Sequence, residues 1–221
     1  MLVLAMSICV LSAADATDTG GDPRYRFDGE ISQSVLENYL ARSLNMLGLA
    51  FEDDAALEED LRMVQNVGAK HLGFVAFVWL EGDTAVGVEE HFQKATAAAD
   101  RILRMDPEIM LQAAAFETNA PAADSIPIPE WVFREYGVPV EKRNFSHRKM
   151  LYDPRDKARG HGHQTMPPDI TKLETRLWFY YWSRRYIDAG YENIRLGMIF
   201  RSRLDRLDIH HVILLTRMAH Q

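Results

Sequence analysis

Two glutamates, Glu81 and Glu117, stand where two apolar stretches stop, and a His-x-His pair, His161 and His163, lies in the glycine-bearing segment GHGHQ. Two opposed carboxyl groups are the usual equipment for cleaving a glycosidic bond. They sit about 5 to 5.5 Å apart for retention of configuration or about 6.5 to 9.5 Å for inversion, one being kept protonated by apolar surroundings. Trp79 and Phe116 offer such surroundings. Acids that end adjacent parallel strands, about 4.8 Å apart, meet the shorter spacing. Glu117, preceded by Ala113, Ala114, Ala115 and Phe116, is the leading candidate for general acid or nucleophile, with Glu81 as its partner. The plainer reading of Glu81 is an acid that merely solvates a loop, as acids that end strands often do. A His-x-His pair can place two imidazoles on one metal, but needs a third ligand, from Asp169, His147 or Asp153. Without one, the loop is a solvated or substrate-touching segment, and the expectation carries no metal and no cofactor. Trp79, Asn119, Trp131, His161 and His163 complete the expected substrate contacts; aromatic rings stack on sugar faces as readily as they pack in cores, and Asn119 closes the same strand end as Glu117.

These groups are useful only if the chain brings them to one rim. Residues 72–80, LGFVAFVWL, and residues 109–116 are apolar without alternation, as strands buried on both faces of a helix-covered parallel sheet should be. Residues 193–200 read as a third strand. Between the first two, residues 88–105 have helical spacing (Phe92, Ala95, Ala99, Ile102) broken by Asp106 and Pro107, which completes a βαβ unit. Two helices are expected ahead of the first strand. One covers residues 35–47 from a Ser34/Glu37 capping box, with Gly48 as its stop; the other runs from the acidic cluster at residues 52–54 to Gly68. A Thr171/Glu174 box opens a further helix that Gly190 closes, on which Trp178, Tyr181 and their aromatic neighbours are core by periodicity. The last stretch, residues 203–218, has the pattern of an amphipathic helix. Residues 120–168 form a long proline-rich excursion with one short helix near residues 130–136, a candidate lid over the strand ends.

Composition narrows the classes. In 221 residues, 47% are hydrophobic, enough for one sizeable core, and 32 acids against 25 bases leave no basic field to collect phosphate backbones. Nucleic acid is thereby disfavoured. Residues 1–16 resemble a secretory signal peptide ending in a small-x-small cleavage site at Ala14 and Ala16, too short to span a bilayer. Residues 17–28 then read as a flexible leader. The single cysteine, Cys9, falls within the signal segment, so a mature secreted or periplasmic chain would carry no disulfide.

FDGEISQSVLENYLARSLNMLGL, the GAKHLGFVAFVWL strand, the AAAFETN strand end and the PDITKLETRLWFYYWSRRYIDAGYENIRLG helix and strand together resemble the amino-terminal part of bacterial secreted proteins with a glycoside-hydrolase-like (β/α)8 barrel. The resemblance implies a site at the carboxyl ends of the strands that handles carbohydrate. A closed barrel has eight strands, so the expected fold for residues 29–221 is α/β: a partial (β/α)8-type barrel with about three parallel strands, preceded by two helices. The expected function is acid–base chemistry on a glycosidic bond by a truncated glycoside hydrolase relative. A non-catalytic sugar-binding or structural remnant of such a barrel is the alternative, and a metal-dependent hydrolase using His161 and His163 comes third. No Gly-rich phosphate loop, no G-x-S-x-G elbow and no dinucleotide fingerprint occurs.

Overall fold

The computed structural model describes residues 21–28, 30–78, 87–115, 120–152 and 168–196. Among them run α1 (Gln33–Ala41), β1 (Ser43–Asn45), α2 (Asp54–Val67), β2 (His71–Val78), α3 (Val88–Met105), β3 (Met110–Ala115), α4 (Glu130–Glu135), α5 (His147–Met150), α6 (Leu173–Asp188) and β4 (Asn193–Leu196). The chain is α/β, with one open parallel sheet ordered β1-β2-β3-β4. Spatial order follows chain order with no reversal, so the connecting helices fall on one side.

The helices start and stop where local chemistry dictates. Asp53 accepts from the backbone N–H groups of Ala55 and Ala56 (3.0 and 2.9 Å) to open α2, which Gly68 ends in the left-handed region at φ 64°. Leu57, Leu61 and Val64 bury the inner stripe of α2; Phe92, Ala95, Ala98, Ala99 and Ile102 do so for α3. These stripes meet Leu72, Val75, Ala76, Leu111, Ala113 and Ala115 of the sheet in one continuous core. At the amino end of β2, Lys70 binds Asp106 and Glu108 (2.7 and 2.6 Å) just ahead of β3.

Four expectations are corrected. The stretch foreseen as a helix over residues 35–47 divides into α1 and β1, so the described residues hold four strands rather than three and, of the two helices expected ahead of the first strand, only α1 precedes it. The reason is tertiary: the Arg42 carbonyl accepts from Lys70 and His71, and β1 then pairs with β2 through Ser43↔His71, Leu44↔Leu72 and Asn45↔Gly73. The α1 cap is Ser32, accepting from Val35, rather than Ser34. The Thr171/Glu174 box does not form. Asp169 takes the Thr171 N–H and hydroxyl, while Glu174 is drawn to the Arg143 guanidinium (2.8 and 3.0 Å) and the Ser146 N–H (2.8 Å). Finally, β2 and β3 are buried on both faces over most of their length, as expected, but among the described residues the cover of the second face is partial: Met110 and Ala114 are buried there while Gln112 and Phe77 are only half-buried.

The excursion is built into the fold over residues 120–152. Ile126, Ile128, Val132, Phe133, Phe145 and Met150 are buried in the main core, and a bridge pairs Pro127 with Asn144. It clasps α6, which explains why α6 is buried nearly all round. Likewise, the residues read as a leader are pinned from Asp22 onward: Tyr25 is buried and its carbonyl accepts from the Tyr39 hydroxyl (2.9 Å). Among the described residues no helix is long and apolar enough to cross a membrane.

Candidate functional site

Strand pleating sends alternate side chains to opposite faces, and here the two faces differ in kind. One joins the core. The other carries, from the amino to the carboxyl end, a layer of Ser43, His71 and Met110, then Asn45, Gly73, Gln112 and Asn193, then Phe77, Ala114 and Arg195, as the strand registers require. A second, small apolar cluster of Tyr25, Tyr39 and Met110, with Phe27, Ile31 and Val35 against it, closes the amino end of this face. Towards the carboxyl ends this face presents Asn45 and Arg195 exposed and Gln112 and Asn193 half-buried, beside the buried Ala114 and a Phe77 ring set edge-on to Phe51 at 6.3 Å, and it is the candidate site.

In the first layer His71 is buried, and burial lowers its pKa and keeps it neutral. Its Nδ1 lies 2.7 Å from the Ser43 hydroxyl and its Nε2 lies 3.3 Å from the Asn193 amide nitrogen. An amide N–H donates to Nε2, which leaves Nδ1–H to donate to Ser43. The imidazole therefore draws no proton from the serine, and this row is a structural relay across the sheet rather than a nucleophile with its base.

The second layer owes its shape to Gly73. A methyl there would overlap the Asn45 amide oxygen and would stand 3.5 Å from Gln112 Oε1, so the absent side chain is what lets two amides converge over the strand. Beside it, three residues of β2, numbers 73–75, stand opposite the single residue Gln112, a bulge of two extra residues. Phe74 sits in it at φ 59°, the left-handed region. Its ring lies 4.4 Å beneath the guanidinium carbon of Arg195.

The leading sequence candidates, Glu81 and Glu117, lie outside the described residues, as do Trp79, Asn119, His161 and His163. What the structure does fix is the pairing just ahead of the two acids: Val78 and Ala115 are partners in the parallel ladder. In sequence Glu81 follows the one by three residues and Glu117 the other by two. Trp131 is described, and it is elsewhere. Its ring packs on Tyr180 and Tyr181 of α6, on the helical side of the sheet. No group of three or more His, Cys, Asp or Glu side chains that could hold a metal occurs among the described residues. The groove between α3 and α6 is bordered by Glu89, Phe92 and Arg185, but Arg185 is engaged by Glu89 through two bonds of 2.9 Å.

Asn45, Phe74, Gln112, Asn193 and Arg195 were missed as site residues, although two signals were present. Ser-Leu-Asn at residues 43–45 and Asn-Ile-Arg-Leu at residues 193–196 alternate polar and apolar with period two, the mark of a strand with one wet face. No protein-family model, no curated protein and no solved structure matches this chain.

Proposed function

We propose that this chain is a carbohydrate-active protein of the (β/α)-barrel kind, doing acid–base chemistry on a glycosidic bond at the carboxyl edge of the sheet, with Glu117 as general acid or nucleophile and Glu81 as its partner. The observation that carries the reading is the parallel pairing of β2 and β3, which after the bulge ends with Val78 opposite Ala115, on a sheet whose second face bears Asn45, Gln112 and Asn193. Amides donate and accept at once, as a ring of sugar hydroxyls requires. The unreversed strand order supports the reading, since a barrel winds this way whereas a doubly wound sheet puts its ligand at an order reversal, and none exists among the described strands. The site of such a fold lies at the carboxyl ends of the strands.

The test is turnover of a panel of aryl glycosides and oligosaccharides by the full chain and by Glu117→Gln and Glu81→Gln. Loss of about 100-fold or more in kcat for Glu117→Gln, with an unchanged far-UV spectrum, is the expected result. Unaltered turnover in that variant removes Glu117 from the chemistry. Binding of sugars without turnover by the unsubstituted chain favours the second reading, a sugar-binding remnant, which the same amide-lined face would serve.

A further inference from the structure

We propose that the saccharide received on this face is acidic, its carboxylate or sulfate group being read by Arg195 held over Phe74. The proposal rests on the carbohydrate reading above and narrows it to a substrate class. Arg195 is exposed, one residue from the carboxyl end of β4, and shares the open face with Gln112 and Asn193. Among the described residues no carboxylate pairs with it, and its one recorded partner is the Phe74 ring. Arg101, Arg143 and Arg185, by contrast, all spend their guanidinium groups on acids. In a chain with 32 acids to 25 bases, an exposed cation that meets no acid among the described residues is available for an anion that arrives from outside.

The geometry suits that role. Stacking on an aromatic ring orients the guanidinium plane and leaves its edge N–H groups free to form the paired hydrogen bonds that carboxylate or sulfate oxygens accept. Presenting the ring is not free: Phe74 is the only non-glycine residue with positive φ among the described residues, a conformation that costs about 1 to 2 kcal/mol for a side-chain-bearing residue. The bulge that imposes it also sets Phe74 under Arg195. Beside the cation, the Gln112 and Asn193 amides are placed to take the hydroxyls of the same sugar ring.

The experiment is calorimetric titration of the full chain with oligogalacturonate, oligomannuronate and oligoglucuronate, their methyl esters, sulfated disaccharides, and the corresponding neutral oligosaccharides. At least one acidic ligand is expected to bind ten-fold or more tightly than its neutral counterpart, with affinity falling as salt rises. Arg195→Gln should abolish that preference, bringing the affinity for each acidic ligand down to that for its neutral counterpart in the same variant, and Phe74→Gly, which relieves the backbone but removes the ring, should weaken it. Whether the uronates or the sulfated sugars bind more tightly identifies the anionic group. Equal affinity for acidic and neutral ligands, or an acid preference that survives Arg195→Gln, overturns the proposal but leaves the carbohydrate reading standing. Failure of every saccharide to bind overturns both.

Discussion

The indole of Trp131 lies 6.0 Å from the Tyr181 ring at an interplanar angle of 25°, with Tyr180 edge-on at 5.8 Å. Both of its neighbours belong to α6, so the ring staples the excursion to the helix and does not stand ready for a sugar. Trp131→Ala is therefore expected to lower unfolding free energy by about 2 kcal/mol, less than for a fully buried tryptophan, while leaving saccharide affinity unchanged. Urea denaturation paired with calorimetric titration checks both halves, and a loss of affinity at constant stability would restore Trp131 as a ligand platform. An isolated aromatic in a polar stretch is ambiguous by composition. What decided this one was the helix it met, which lies about 50 residues further along.

At the scale of the element, much was legible wherever periodicity and capping agreed. The α3 boundaries, Val88 and Met105, match the reading made from apolar spacing and the Asp106-Pro107 break, and α2 runs from its acidic start to Gly68 as its caps require. Asp53→Ala removes the side-chain acceptor shared by two N–H groups and is expected to cost about 1 kcal/mol. The midpoint of urea denaturation would show it as a shift without a change of slope. Short elements held by distant partners were not legible. Three residues of β1 were absorbed into a helix because Leu40, Leu44 and Leu47 continue the helical spacing, and only the hydrogen bonds from Lys70 and His71 to the Arg42 carbonyl show that the chain has turned. Glu81 and Glu117 follow apolar runs in the sequence but lie outside the described residues, and the amide-lined face was not legible at all. Gln112 interrupts β3 once, and nothing nearby in sequence says that Asn45 and Asn193 share its side of the sheet.

Across the whole molecule, the outer layer converges on His91. It sits among Phe51, Phe92, Trp182 and Tyr186, with its Nε2 2.8 Å from the Tyr186 hydroxyl, so that α3, α6 and the turn at Leu49–Phe51 are locked together. Burial first, and then the nearby Arg185 cation, hold the His91 pKa down to about 4. Since the unfolded chain protonates near the ordinary value of about 6.5, the folded state is fully favoured above that pH. Stability then falls as the pH drops from about 6.5 towards 4, by at most about 1.4 kcal/mol per unit. His71, whose pKa is also lowered by burial, adds to the slope in the same sense. Urea midpoints measured from pH 7 to pH 4.5 should show the decline, and His91→Gln, which can still bond to Tyr186, should flatten most of it. An equal slope in that variant would move the effect to another group. The bulge in β2 reaches further than its own strand. Because it adds two residues, an even number, the pleat comes out in phase, and Ala76 returns to the core beside Ala113. Excising one residue from positions 73–75 would invert the phase of everything β2 carries afterwards. Phe77 would lose its edge-on seat against Phe51 and Ala76 would be turned out of the core, so a change at mid-strand would scramble the exit of the strand without touching a residue there.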